Sequence, residues 1–387
     1  MRINAIKNYW PVIAIFLIIL LGVSVRVMDY KWPYLRNIDS YNFYSEMENI
    51  VQNNGKLSTT DELKLAPYGS GRGGNIFVYL GSYSYMFFRI FAPAVQLWQF
   101  LIWFPAVLAS LMAIPMYFIG KILYDRKAGV LAAFFIIFDI PVITRTLGGD
   151  PDNDAIVLLM PLILLTAFLI TYKHIQSHGF NKKAGIYSAI TGTFFAAWIF
   201  SWGGFWYMAW LMVGFIALVA ITKLISYRNV KKTFHEMRKY FISLLAIFSV
   251  AFLIVIPQFG PVIISATITG PFQFGDIKAE TGEFPNVYIS VAELQAPSGP
   301  QEIIQRTGLS FFVMILSLGY LFYSFAKKRH HSDTIILLAI WFVGPFIATI
   351  VAVRFSILFS APIAVGSAIL FSKIARLITG EDAKFED

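Results

Sequence analysis

The sequence predicts an all-α polytopic membrane protein, and two observations carry that prediction. Hydrophobic residues make up 57% of the 387 residues and charged residues only 14%, where soluble domains carry about 25% charged residues. Mean hydropathy is +0.66. Apolar stretches long enough to cross a bilayer recur along the whole chain, separated by short loops that hold most of the positive charge. The net charge of +9 is therefore a topology signal and not a nucleic-acid footprint, because it is not clustered on one soluble face. There are no cysteines, which excludes a disulfide framework, a zinc–thiolate site and thiol chemistry.

Spans are expected near 10–28, 98–120, 128–143, 155–172, 184–201, 204–224, 239–258, 308–326, 334–351 and 355–373, so about ten in a single transmembrane domain over 1–387. The first stretch, Trp10–Val25, lacks a small-residue cleavage site and continues into Arg26-Val-Met-Asp29, so it reads as a retained span. Two spans, 128–143 and 184–201, are short or Gly-rich and are expected to be tilted or partly re-entrant. Alternate loops hold Lys121, Arg126 and Lys127; Lys173, Lys182 and Lys183; then Lys223 to Lys239; then Lys327 to Arg329; then Lys373 and Arg376. By the positive-inside rule these loops are cytoplasmic. The opposite face receives external loops 29–97, 144–154 and 259–307, with a short link around Val353. That face collects Asp39, Asp152, Asp154, Glu293 and Arg354.

The polar run Arg145–Asp154 sits between two strongly apolar stretches and carries three carboxylates and one guanidinium. Asp and Arg cost roughly 2.5–3.5 kcal/mol each at a bilayer centre, so the run belongs in a loop at the membrane surface. Asp152 and Asp154 are one residue apart and offer oxygen ligands for a hard divalent cation. Each candidate also has a plain structural reading. Asp39 suits the N-cap of a helix over Tyr41–Val51, and Asp154 suits the N-cap of the next span, with Asn153 competing for it. Arg145 suits an interfacial anchor, and Trp198, Trp202, Trp206 and Trp210 suit a packing and headgroup belt.

The aromatic run Phe77–Phe91 in loop 29–97 reads as an interfacial helix. Loop 259–307 has no convincing span and is long for a structureless connection, which often marks a functional loop. Within it Glu293, in Ser290-Val-Ala-Glu293, has no local cationic partner and is a site candidate. The His330–His331 pair has no acidic cluster beside it and is read as a solvated loop pair.

Taken together these motifs resemble the catalytic subunit of oligosaccharyltransferase, in its archaeal and bacterial single-subunit forms. Asp39-Ser-Tyr resembles the family's first acidic motif, and Arg145-Thr-x-x-Gly-x-x-Asp152-x-Asp154 its second. Ser290-Val-Ala-Glu293 resembles the Ser-Val-x-Glu form of its long external loop. Arg354-Phe before Pro362 is similar to the family arginine that contacts the donor's pyrophosphate, and Trp202-Gly-Gly-Phe-Trp206 to a Trp-Gly-Gly-aromatic feature.

The resemblance implies the membrane core of the C-class glycosyltransferases (GT-C). It implies transfer of an oligosaccharide from a lipid-linked phosphate or pyrophosphate to asparagine of an acceptor protein, with inversion at the sugar carbon. Asp39 and Glu293 match the residues that grip the acceptor amide. Mn2+ or Mg2+ would be held by Asp39, Asp152 and Glu293, with Asp154 beside them. Arg354 would bind the donor, and Arg145 would orient carboxylates or touch the donor. The active site is expected on the extracytoplasmic face of the cell membrane.

Two departures stand out. Phe43 and Ser45 occupy places where the family's first motif often has His and Arg, and no Trp-Trp pair occurs, although the family reads the acceptor Ser or Thr with Trp-Trp-Asp. The acidic tail Gly380–Asp387 is placed in the cytoplasm. A separate soluble acceptor-recognition chain, a paralogue with another acceptor, and a truncated sequence all stay open. The rival functions are another GT-C enzyme with a lipid-linked donor and a non-sequon acceptor, or a non-catalytic subunit of a glycosylation complex.

Overall fold

A computed structural model describes residues 2–276, 291–328 and 332–380, with side chains for 9–272, 291–327 and 332–380. Ser290, the His330–His331 pair and residues 381–387 of the acidic tail lie outside the described residues. The regular secondary structure of the described chain is helical apart from one two-stranded ribbon pairing Thr60–Asp61 with Ser70–Gly71.

Eight described helical segments are long and apolar enough to cross a membrane, and they fall on eight of the ten expected spans. The chain is thus a multi-pass membrane protein by its helices. The other two expected spans are helices of a different kind. Residues 128–143 divide into α6 (Arg126–Ile137) and the short α7 (Ile140–Thr144), and 184–201 is the 18-residue α9 (Lys182–Ile199). Pro141 opens α7 where its missing N–H is harmless, so the break falls there.

The core is organised around α8 (Asp154–His178). Its buried residues, from Ala155 and Ile156 through Leu164, Leu165 and Phe168 to Ile175, cover every face. A helix apolar all round belongs in the middle of a bundle. Helices α4 (Leu97–Ser110), α5 (Ala113–Leu123) and α9 pack directly against it, while α1 (Arg2–Val27) leans on α4 and α6.

The predicted inner loops meet at one end of the bundle. Thr334 Oγ1 donates to the Leu123 carbonyl at 2.9 Å and Tyr172 donates to Asp333 at 2.9 Å. Asp125, N-cap of α6, pairs with Arg376 and accepts from Ser372.

The opposite end carries the other loops, and here two expectations change. Loop 29–97 contains α2 (Ile38–Gln52), the ribbon and α3 (Ile76–Phe91). The N-cap of α2 is Asn37, not Asp39; Asn37 Oδ1 accepts from the Asp39 amide at 3.4 Å, leaving Asp39 in the first helical turn. An amide side chain there satisfies an orphan N–H as well as a carboxylate would. Ser40, Met47 and Ile50 line the buried face of α2 against α3, whose Phe77, Gly81 and Tyr85 face it at helical spacing. The expected interfacial stretch is thus a helix with one face packed into the protein. Loop 259–307 holds no span among its described residues, as expected, and carries the shorter apolar α12 (Val262–Asp276), which packs on α10 (Trp206–Tyr227) and α11 (Val230–Phe259). A further helix, α13 (Pro300–Thr307), leads into α14 (Ser310–Lys328) and α15 (Ser332–Val351). A 3₁₀ turn, Val353–Phe359, and α16 (Ser360–Thr379) complete the described chain.

Candidate active site

The segment between α7 and α8 is held by its backbone before any side chain acts. The Gly148 amide donates to the Arg26 carbonyl at 2.8 Å and the Gly149 amide to the Ile102 carbonyl at 2.9 Å. The Arg36 amide in turn donates to the Gly149 carbonyl at 2.7 Å, and Ser40 Oγ to Asp150 Oδ1 at 2.8 Å. So α1, α4 and the start of α2 all grip one loop. Gly149 sits at φ +75°, and a Cβ there would lie 2.0 Å from the Tyr30 ring, so only glycine fits.

Asp154 is the first residue of α8, with Asn153 at the N-cap position making no side-chain cap bond. The competition anticipated between them therefore goes to Asn153 by position. Asp154 uses its carboxylate elsewhere, beside the positive end of the helix dipole. Its Oδ2 lies 3.5 Å from Arg145 Nη1 and its Oδ1 lies 3.8 Å from Arg354 Nη2. The second nitrogen of Arg145 donates to Glu293 Oε1 at 2.6 Å. Glu293, which lacks a cation nearby in sequence, finds one in space. One guanidinium fork thus joins the Asp-x-Asp loop to the long loop of residues 259–307, a geometry that suits arginine.

Glu293 is carried by a 3₁₀ turn, Ala292–Leu294, and the next residue accepts from the 3₁₀ turn that carries Arg354: the Val353 amide donates to the Gln295 carbonyl at 2.9 Å. Trp202 faces Phe355 with ring centroids 6.3 Å apart, so the Trp-Gly-Gly-Phe-Trp turn backs the same place. Trp198 is fully buried and donates to the Phe205 carbonyl, a core role rather than a headgroup one.

Asp152 is half-buried between these anchors, and its Oδ1 accepts the Asn153 amide at 2.5 Å. Burial, then the neighbouring Asp154 carboxylate, push the Asp152 carboxyl up to about 6. Asp39 is exposed on the first turn of α2, one residue before the Ser40 that reaches Asp150. Among the described residues no three acidic or histidine side chains come close enough to hold a metal ion. The structure therefore brings Arg145, Asp154, Glu293 and Arg354 into contact, with Asp152 next to them, while Asp39 makes no contact with this group among the described residues.

Arg145 and Arg354 open onto a cavity of about 640 Å³ between α6, α14 and α16. Its far wall is apolar, with Phe134, Phe135 and Phe371, and its near wall holds Arg145, Arg306 and Arg354. Two of its groups escaped the sequence reading. Asp139 lines the cavity, and its buried Oδ2 has no hydrogen-bond partner among the described residues; an acid inside an apolar run was the available signal. Arg306, paired with Glu302 at 2.9 Å, carries no motif that would single it out in the sequence.

Comparison with known proteins decides the family. The model of the family described as "Oligosaccharyl transferase STT3, N-terminal" matches residues 12–380. The chain belongs to the STT3 oligosaccharyl transferase family. A dolichyl-phosphooligosaccharide-protein glycotransferase of Methanococcus voltae is 25% identical over 399 residues, covering 91% of this chain and 43% of that protein. A like-named protein of Methanocaldococcus jannaschii is 22% identical, covering 71% of this chain and 38% of its own length.

Among solved structures, the archaeal oligosaccharyltransferase AglB from Archaeoglobus fulgidus, in complex with an inhibitory peptide and a dolichol-phosphate, superposes with a TM-score of 0.73 at 21% identity. The match covers 98% of this chain and 52% of that one. An oligosaccharyltransferase of the same organism tethered to an acceptor peptide containing the NVT sequon matches with a TM-score of 0.69, also at 21% identity, over 96% of this chain and 50% of that one. The fold is thus the GT-C membrane core of these enzymes. The chain spans about half the length, or less, of the relatives it matches.

Proposed function

We propose that this protein transfers an oligosaccharide from a lipid-linked phosphate or pyrophosphate to the side-chain amide of asparagine in acceptor proteins, with inversion at the sugar carbon. The observation that supports this most is the joining of Asp154, Glu293 and Arg354 through Arg145 at the mouth of a cavity with a cationic near wall and an apolar far wall. A polyprenyl phosphate has the same polarity: phosphate at the arginines, hydrocarbon among the phenylalanines. The site faces the extracytoplasmic side, because its loops lie opposite the Lys- and Arg-rich ones.

An amide nitrogen is a poor nucleophile, since its lone pair is delocalised into the carbonyl. Asp39 and Glu293 accept hydrogen bonds from the amide NH2 and hold it in line with the sugar carbon. Arg354 binds the leaving phosphate, which takes the electron pair of the broken C–O bond as the C–N bond forms, and the displaced amide proton passes to water. Arg145 keeps Asp154 and Glu293 at a fixed separation until substrates arrive.

Mn2+ or Mg2+ belongs to this proposal. Carboxylate oxygens are hard donors that suit such ions, and the buried negative charge around Asp152 and Asp154 is the kind a cation relieves. Asp39, Asp152 and Glu293 would hold it, with Asp154 beside them, once Glu293 leaves Arg145. Bound there, the cation would supply charge neutralisation and orientation.

The test is a transfer assay with purified chain, lipid-linked oligosaccharide, Mn2+ or Mg2+, and a peptide carrying Asn-x-Ser/Thr or its Gln counterpart, read by mass spectrometry. Glycan on Asn only, lost with EDTA or with Asp152→Ala, is the expected result. Donor binding that depends on Arg354 without any glycopeptide would overturn the asparagine acceptor for this chain alone. It would point to a separate acceptor-recognition chain or to another acceptor.

A further inference from the structure

The most unusual charge in the molecule lies outside the site. Arg26 is 1% exposed, near the end of the apolar helix α1, and no carboxylate pairs with it among the described residues. An ionisable group buried in a membrane helix is costly and tends to be retained for function. Its cost here is offset by hydrogen bonds alone. Nη1 donates to the Gly22 carbonyl at 3.0 Å, and Nη2 to the Ile137 carbonyl at 3.0 Å. Ile137 is the last residue of α6, whose terminal carbonyls have no partners within the helix.

The third bond reaches the site loop. Arg26 Nε donates to Thr146 Oγ1 at 2.9 Å, and that fully buried hydroxyl donates onward to the Val142 carbonyl at 2.6 Å. The backbone carbonyl of Arg26 accepts the Gly148 amide at 2.8 Å, and a Cβ on Gly148 would lie 3.1 Å from that same carbonyl oxygen. One residue of α1 therefore holds both neighbours of Leu147, beginning with Thr146 directly after Arg145. Three acceptors in different directions call for a rigid fork; one ammonium on a flexible stem does not satisfy them.

We propose that Arg26 is a positioning residue for the transfer reaction: it clamps Thr146–Gly148 so that the fork of Arg145 meets Asp154 and Glu293. The geometric half stands on its own contacts; the catalytic half rests on the function proposed above.

Two readouts on the full chain in detergent separate these halves. Hydrogen exchange is followed for the peptide covering 144–153 and for peptides of α8 and α11, in wild type, Arg26→Gln, Arg26→Lys and Thr146→Val. Initial transfer rates are measured at saturating donor, with donor KM taken separately. The clamp predicts exchange about tenfold faster in 144–153 alone, since one charge-assisted hydrogen bond is worth about a factor of ten or more. It predicts a kcat fall of similar size with donor KM within about twofold, because Arg354 is not disturbed. Lys should not rescue, and Arg26→Gln with Thr146→Val should lose no more than the worse single change.

Unchanged exchange in 144–153, faster exchange throughout the bundle, rescue by Lys, or normal kcat with a loosened loop would each overturn the proposal. Should Arg26→Gln fail to fold, Thr146→Val carries the same predictions. Localised exchange in a wild type that transfers nothing would sink the proposed function and leave the clamp standing.

Discussion

Arg145 donates to Glu293 at 2.6 Å across 148 residues of sequence, and this one contact ties the Asp-x-Asp loop to the long loop of residues 259–307. Its other nitrogen faces Asp154. Arg145→Ala should strip Glu293 of its cation, leave Asp154 only its 3.8 Å pair with Arg354, and lower transfer about 10–100-fold, the loss expected for charge-assisted hydrogen bonds worth about 1.5–3 kcal/mol. Arg145→Lys should recover little, because an ammonium cannot fork between two carboxylates. Single-turnover transfer at saturating donor measures both.

Arg354 lies at the cavity mouth and 3.8 Å from Asp154. Arg354→Ala should weaken lipid-linked donor binding by at least about tenfold while leaving the fold intact, since its side chain is well exposed and its ion pair long. Donor affinity and the unfolding temperature, taken on the same preparation, distinguish these. A normal donor affinity would remove Arg354 from the donor site.

Asp152 gives a pH prediction. Its carboxyl titrates at about 6 in the folded chain against an ordinary value of 3.8. A raised pKa means the folded state holds the proton more tightly than the unfolded one. The associated stability is complete below about pH 4 and is lost as pH rises through 6. Asp152→Asn should remove that loss, so the variant should match wild type near pH 4 and exceed it by about 1–2 kcal/mol at pH 7.5 in the absence of divalent cations. Thermal unfolding at the two pH values checks the sign.

Gly149→Ala should unseat the site loop. The position has φ +75° and its Cβ would overlap the Tyr30 ring at 2.0 Å, so both backbone and neighbour must move. A destabilisation of about 1–3 kcal/mol is expected, together with lost transfer. Gly203→Ala is the control, since a Cβ there meets nothing within 4 Å.

Much of this molecule was legible in the chain. Apolar length and the alternation of positive loops predicted eight spans that the described helices contain, and the two ends of the bundle separate as the charges do. Asp154, Glu293, Arg354 and Arg145, singled out on one face, meet in contact. These signals are local: a run of apolar residues or an acid between two such runs carries its meaning in its own window.

Tertiary structure decided the rest. It gave Glu293 its cation, put Asn37 rather than Asp39 at the cap of α2, and placed a helix at Val262–Asp276 inside an expected loop. It also turned Arg26, read in the chain only as the charged end of the first span, into a ligand of the site loop. Sequence by itself determined which residues carry charge and which stretches enter the bilayer, because transfer free energy depends on composition over one helix length. Which charge meets which depends on how helices far apart in the chain pack, since a hydrogen bond forms only within about 3 Å and no local pattern encodes that distance.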